Sequence, residues 1–186
     1  MTTETFSAKM ASIAEQARAK LSDGAVTGTY GRDRDEVVKV LNDALATEIV
    51  CWLRYTRHAI SATGINRAQV SAEFTEHAES ERDHAMRIAN RISELGAEPD
   101  LNPASLDERA VTSYETKADD DLVGMLKENL AAERIVISVY SEIIRWLGDG
   151  DITTRRLIED LLADEEEHAD DILDLLGGLD AGSGSS

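Results

Sequence analysis

Two short runs in this chain pair a carboxylate with an imidazole at the same spacing: Glu81-Arg82-Asp83-His84-Ala85 and Glu165-Glu166-Glu167-His168-Ala169. Residues three apart on a helix share a face, so each Glu-x-x-His directs one carboxylate and one imidazole towards a common point. Ahead of each run stands a further glutamate with a tyrosine seven residues on, Glu48 with Tyr55 and Glu133 with Tyr140. Glu81 follows Glu48 by 33 residues and Glu165 follows Glu133 by 32, so one pattern is written twice. Together Glu48, Glu81, His84, Glu133, Glu165 and His168 offer the oxygen-rich, two-imidazole donor set that suits a pair of iron or manganese ions, with zinc possible in the same site. Four glutamates converging in a low-dielectric core repel one another, and two divalent cations bring four positive charges against them. Tyr55 and Tyr140 lie on the same helix faces as Glu48 and Glu133, where a phenol can donate a hydrogen bond to a ligating carboxylate of a neighbouring helix.

The other candidates carry weaker signals. His77, one turn before Glu81, reads as a surface residue, with a place on the approach to the metals as the alternative. His58 is expected to be exposed. Cys51, three residues after Glu48, reads as a small packing residue or as a core residue near the metals. Met86, Met125 and Trp146 are expected in the core.

The elements that must position these residues are helices. Apolar residues recur at three and four, and both prolines, Pro99 and Pro103, fall in one connector. A helical arm is expected from Thr3 to Leu21, before a glycine-containing break. The bundle helices are expected at Asp33 to Thr63, with Val37, Leu41, Leu45, Glu48, Trp52, Tyr55 and Ala59 on one stripe, at Arg67 to Leu95 before Gly96, at Asp119 to Leu147, and at Ile152 to Leu176 before a stop at Gly177-Gly178. A connector from Ala97 to Ala118, with a short helical turn near Ser105 to Ala110, is long enough to cross over along a four-helix bundle. The domain reading is an N-terminal arm over 1–30, the bundle over 31–177 and a flexible tail over 178–186.

The chain has 186 residues, with 19 Lys+Arg against 37 Asp+Glu and a net charge of −18. That length suits one domain that buries about two thirds of its unfolded surface. So acidic a surface repels the phosphate backbone, which disfavours direct DNA binding. Apolar runs near Ile49 to Leu53 and Ile135 to Val139 are broken by Arg or Glu, far short of the ~20 residues of a membrane span. The single Cys51 excludes an internal disulfide, and Met1 to Met10 lacks the pattern of a secretory signal, so the expected location is cytoplasmic.

From Asp33 to Leu176 these motifs and their order resemble the ferritin-like superfamily, and within it the bacterioferritin and Dps-like branch. The resemblance implies an all-α, ferritin-like four-helix bundle whose six ligands form an intrasubunit di-iron ferroxidase centre. It implies oxidation of ferrous iron by O2 or H2O2 and storage of ferric iron inside a homo-oligomeric cage. Bacterioferritins bind haem through a Met directly after the Glu of the first Glu-x-x-His; Arg82 stands there, so haem is not expected. The length beyond the last bundle helix favours a 12-subunit cage over the 24-subunit one, whose chains carry a fifth helix. The usual Dps proteins place iron between subunits, unlike this set, and relatives with a cysteine pair near the metals are matched here only by Cys51. Glu76, Glu79, Glu167, Asp170, Asp171 and Asp174 either line a pore that attracts ferrous iron or form a solvated face. A dimetal redox enzyme without storage, of the rubrerythrin-like peroxidase or manganese catalase kind, is the alternative.

Overall fold

Caps and glycines set where the helices begin and end. In the computed structural model, which describes residues 5–24, 26–116 and 121–183, α1 spans Phe6–Ala19, α2 Arg34–Ser61, α3 Arg67–Glu94, α4 Leu106–Arg109, α5 Leu122–Leu147 and α6 Ile152–Ser183. No strand occurs among the described residues. Asp33 starts α2, its carboxylate accepting from the amides of Asp35 (2.9 Å) and Glu36 (3.1 Å), two of the donors that a helix start leaves open. After α3 the chain turns at Gly96, whose φ of +77° suits a residue without a Cβ. α1 buries none of its side chains and stands as an arm. Expected boundaries at Thr3, Ala118 and Asp119, and the tail residues 184–186, lie outside the described residues.

α2 and α3 form one hairpin and α5 and α6 a second, and the chain between them, described over 95–116, runs along α2, giving a four-helix bundle with one long connection. The connection is fastened to α2. Arg109 donates to the carbonyls of Asn42 (2.7 Å) and Asp100 (2.8 Å), and the Val111 amide donates to Thr47 Oγ1 (3.1 Å). Two apolar clusters fill the bundle, one built around Leu45, Ile88, Ile92 and Leu161, the other around Phe74, Met125, Leu126 and Ile172. Along α3 the second cluster ends at Ala78 and the first resumes at Ala85; along α6 the first ends at Leu161 and the second resumes at Ile172. The gaps hold Glu81 and His84 on α3, and Glu165 and His168 on α6. The polar site therefore sits between two apolar layers.

Three expectations are corrected here. Met86 is 45% exposed, because it lies two residues, about 200°, around α3 from His84 and so turns away from the bundle axis. Trp146 packs against the core only in part, with the Arg32 guanidinium 5.5 Å from its ring centroid. The last helix does not stop at Gly177-Gly178 but continues to Ser183. Leu176 and Leu179 extend its apolar stripe against the second cluster, which outweighs the ~1 kcal/mol that each glycine costs within a helix. Among the described residues no helix is long and apolar enough to cross a membrane.

Candidate metal centre

Each of the four bundle helices delivers a buried carboxylate to the middle of the bundle: Glu48 from α2, Glu81 from α3, Glu133 from α5 and Glu165 from α6. His84 and His168 join them one helical turn beyond Glu81 and Glu165. Two groups of potential donor atoms result, each with its atoms within 4.8 Å of one another: Glu48, Glu81, His84 and Glu165, and Glu81, Glu133, Glu165 and His168. Glu81 and Glu165 belong to both. Glu81 turns Oε2 towards His84 Nδ1 (3.7 Å) and Oε1 towards His168 Nδ1 (3.6 Å). Glu165 likewise sets Oε1 3.1 Å from His84 Nδ1 and Oε2 3.5 Å from His168 Nδ1. Each group thus has one imidazole and one carboxylate of its own and shares two carboxylates that split their oxygens between the pair.

These atoms fit a pair of divalent cations. Glu48 Oε2, both oxygens of Glu81, Glu133 Oε2, Glu165 Oε2 and His168 Nδ1 are buried without a hydrogen-bond partner, and each such atom costs about 1–3 kcal/mol until something satisfies it. Oxygen donors with two imidazoles match iron or manganese.

Electrostatics of the metal-free centre lead to the same conclusion. Burial, reinforced by the Glu165 and Glu81 carboxylates, pushes the pKa values of Glu48 and Glu133 well up. Burial works the same way on Glu81 and Glu165, but contacts with the imidazoles and the protonated neighbours outweigh it and hold both low. Burial alone would lower His84 and His168; ion pairs with the glutamates raise both instead, His168 to about 10. Without metal, two carboxylates balance two imidazoliums while the other two carboxyls stay neutral. With two divalent cations, four carboxylates balance four positive charges. Either state is neutral, so cations and protons compete for one site.

The partners behind the donors come from the opposite hairpin. Tyr55 on α2 donates its hydroxyl to Glu133 on α5, and Tyr140 on α5 donates to Glu48 on α2. His84 Nε2, on the far side of the ring from the carboxylates, lies 3.1 Å from Asp164 Oδ2 and 3.3 Å from Ser80 Oγ. Sequence reasoning missed Asp164, which stands in the acidic run 164–167 where nothing marks one member out. Tyr55→Phe and Tyr140→Phe are each expected to weaken Co(II) binding about tenfold by titration calorimetry. Unchanged affinity in both variants would show that the phenols do not orient the carboxylates.

Two histidines lie where their sequence context did not place them. His58, expected to be exposed, is fully buried: Asn129 Nδ2 donates to its Nδ1 (3.1 Å), and Asn129 Oδ1 accepts from Arg54 Nε (3.0 Å). Arg54, itself buried, also donates to the Ser113 carbonyl (3.1 Å) and to Cys51 Sγ (3.3 Å). Cys51 is accordingly a core residue in a polar network with the crossover, and burial pushes its thiol pKa up. Burial, then the Arg54 charge, lowers His58 from 6.5 to about 4. The unfolded chain therefore takes a proton at His58 below pH 6.5 that the folded chain refuses until about pH 4. Stability from this residue is complete above pH 6.5 and falls by about 3 kcal/mol on acidification through that window. Urea unfolding at pH 7 and 4.5 should show a smaller acid loss in His58→Gln; an equal loss would remove His58 from the account. His77, expected at the surface, is only 2% exposed because its ring stacks on His168 at 4.2 Å between centroids.

Comparison with known proteins agrees with this geometry. The model of the ferritin-like domain matches residues 38–181. The chain belongs to the ferritin-like family. Among solved structures, this ferritin-like chain is similar to the dodecameric thioferritin of Bacteroides fragilis, a bacterioferritin-related protein, with 34% identity, a TM-score of 0.78 and coverage of 92% of this chain and 98% of that one. A nutrient stress-induced DNA-binding protein of Synechococcus sp. is 29% identical over 72% of this chain and 77% of its own. A bacterioferritin of Desulfovibrio desulfuricans is 29% identical over 72% of this ferritin-like chain and 70% of its own.

Proposed function

We propose that this ferritin-like protein is an iron-storage ferroxidase in which Glu48, Glu81, His84, Glu133, Glu165 and His168 bind two ferrous ions as substrate within one chain. The observation that carries this reading is the split of Glu81 and Glu165, each of which turns one oxygen towards His84 and the other towards His168. Each ferrous ion gives up one electron, and the pair reduces O2 to peroxide, or H2O2 to water, with uptake of two protons. The chain's own part is to hold the cations side by side, to fix Glu48 and Glu133 through Tyr140 and Tyr55, and to orient His84 through Asp164. Carboxylate donors favour the ferric product that results.

Ferric iron then collects inside a cage of identical chains, twelve by likeness to the Bacteroides protein. An apolar groove of about 500 Å³ between α2 and α5, lined by Val40, Val139, Ile143 and Trp146 among others, supports burial against a second copy. The net charge of −18 supports a role without direct DNA contact. Aerobic Fe(II) titration, desalting and an iron count test the whole reading. Retention far above two ions per chain is expected. Retention of about two with rapid oxidation would make the protein a dimetal redox enzyme of peroxidase or catalase type, and retention of none would overturn the site.

A further inference from the structure

We infer that Glu73, His77 and Asp171 form a third divalent-cation site, through which cations pass between solvent and the buried pair. It deepens the ferroxidase reading but can be tested without oxidation. Three observations carry it. His77 Nε2 lies 3.4 Å from Glu73 Oε1 and 3.6 Å from Asp171 Oδ2. The three residues can each turn one donor atom to within 4.8 Å of the others. Donors about 2.0–2.2 Å from a common ion are separated by about 3.0–3.6 Å, so these gaps match the edges of a coordination shell. Moreover, neither ring nitrogen of His77 has a hydrogen-bond partner although the side chain is 98% removed from solvent. The nearest acceptors to Nε2, on Glu73 and Asp171, stand at 3.4 and 3.6 Å, longer than a good hydrogen bond, and leave room for a shared ligand between them.

The site also has the right position. The Glu73 and Asp171 side chains are 28% and 45% exposed against 2% for His77, so the carboxylates face solvent and the imidazole faces inward. A pocket of about 170 Å³ opens beside it between α3 and α6, lined by His77 and Asp171 of the three and also by His168, Ser80 and Asp164. The stacked His77 and His168 rings connect this pocket to the buried centre. A cation captured by the two carboxylates moves next to His77 and then to the donors around His168. One nitrogen and two oxygens suit a first-row divalent ion such as Fe(II) or Co(II).

Co(II) tests the inference in the full-length assembled protein, by anomalous scattering from crystals for location and by stopped-flow absorption for the rate of loading. Wild type should show density at both buried positions and a third, weaker peak among Glu73, His77 and Asp171. E73Q/D171N should lose only the third peak, and its buried pair should fill about tenfold more slowly as the local attraction disappears. E81Q should lose at least one of the two buried peaks and keep the third peak. No third peak in saturated wild type, a third peak that survives E73Q/D171N, or an unchanged loading rate would each overturn the inference. A third peak beside an empty buried pair would uphold the cation site but overturn both its role in passing cations inward and the ferroxidase reading.

Discussion

Glu81→Gln is expected to slow Fe(II) oxidation by about 100-fold or more while leaving the metal-free fold intact. The glutamine keeps the volume of the side chain, so no cavity forms among the buried residues around it. What it loses is the second negative oxygen, and Glu81 uses both, one towards each imidazole. One amide oxygen can serve one cation, and its NH2 then faces the other position as a donor where an acceptor is required. The pair therefore cannot be held side by side. Folding survives because the metal-free centre contains four carboxyls for two imidazoliums. When Glu81 no longer carries charge, Glu48 or Glu133 can ionise in its place, so the melting temperature without metal should move by a few degrees at most. Stopped-flow oxidation and circular dichroism on the same samples separate the two effects. A variant that oxidises iron at the wild-type rate would remove Glu81 from the site, and one that fails to fold would show that the carboxylates stabilise the bundle without metal.

The second large effect is on stability. At a hundred times the dissociation constant, one bound ligand stabilises by about 2.7 kcal/mol, and two by about 5 kcal/mol. For a chain of this size each kcal/mol moves the melting temperature by about 2–4 °C, so saturation with Co(II) should raise it by about 10–20 °C and a chelator should reverse the rise. The rise should shrink on acidification, because protons reoccupy Glu48, Glu133 and the two imidazoles and displace the cations. Glu81→Gln should show little of it. A wild-type melting curve indifferent to Co(II), Mn(II) and Fe(II) would mean that the six residues form a structural polar core.

Much of this was legible in the sequence because the relevant spacings are local. Glu-x-x-His occupies one helical turn, and the tyrosine two turns beyond each glutamate needs only helical periodicity to be placed, so the six donors and the two phenols could be named from the chain. The structure brings all eight together. What resisted reading was long-range. His58 is buried by Asn129, 71 residues away, and His77 by a ring on another helix; nothing adjacent to either signals that burial. Arg54 looks like a solvated charge until the crossover, carrying Thr112 and Ser113, folds over it. Gly177-Gly178 carries a strong local stop signal, but Leu176 and Leu179 keep packing on either side and the tertiary contacts prevail. In each case the missing information was a partner distant in the chain.

The reciprocal tyrosines have a consequence for how such a molecule can originate. Turning the bundle by half a revolution exchanges Glu48 with Glu133, Tyr55 with Tyr140, and each Glu-x-x-His with the other. A chain half as long, pairing with its own copy, would thus satisfy the same donor list and the same crossed phenol bonds, and fusing two copies would yield the present arrangement. Away from these shared positions the two halves differ. The positions matching Cys51, Arg54, His58 and His77 are Val136, Val139, Ile143 and Leu161, so the polar network and the proposed third cation site have no counterpart in the other half. In the ferroxidase reading the two-metal donor set is the symmetric part of the bundle, and the proposed path for cations is the part that breaks the symmetry.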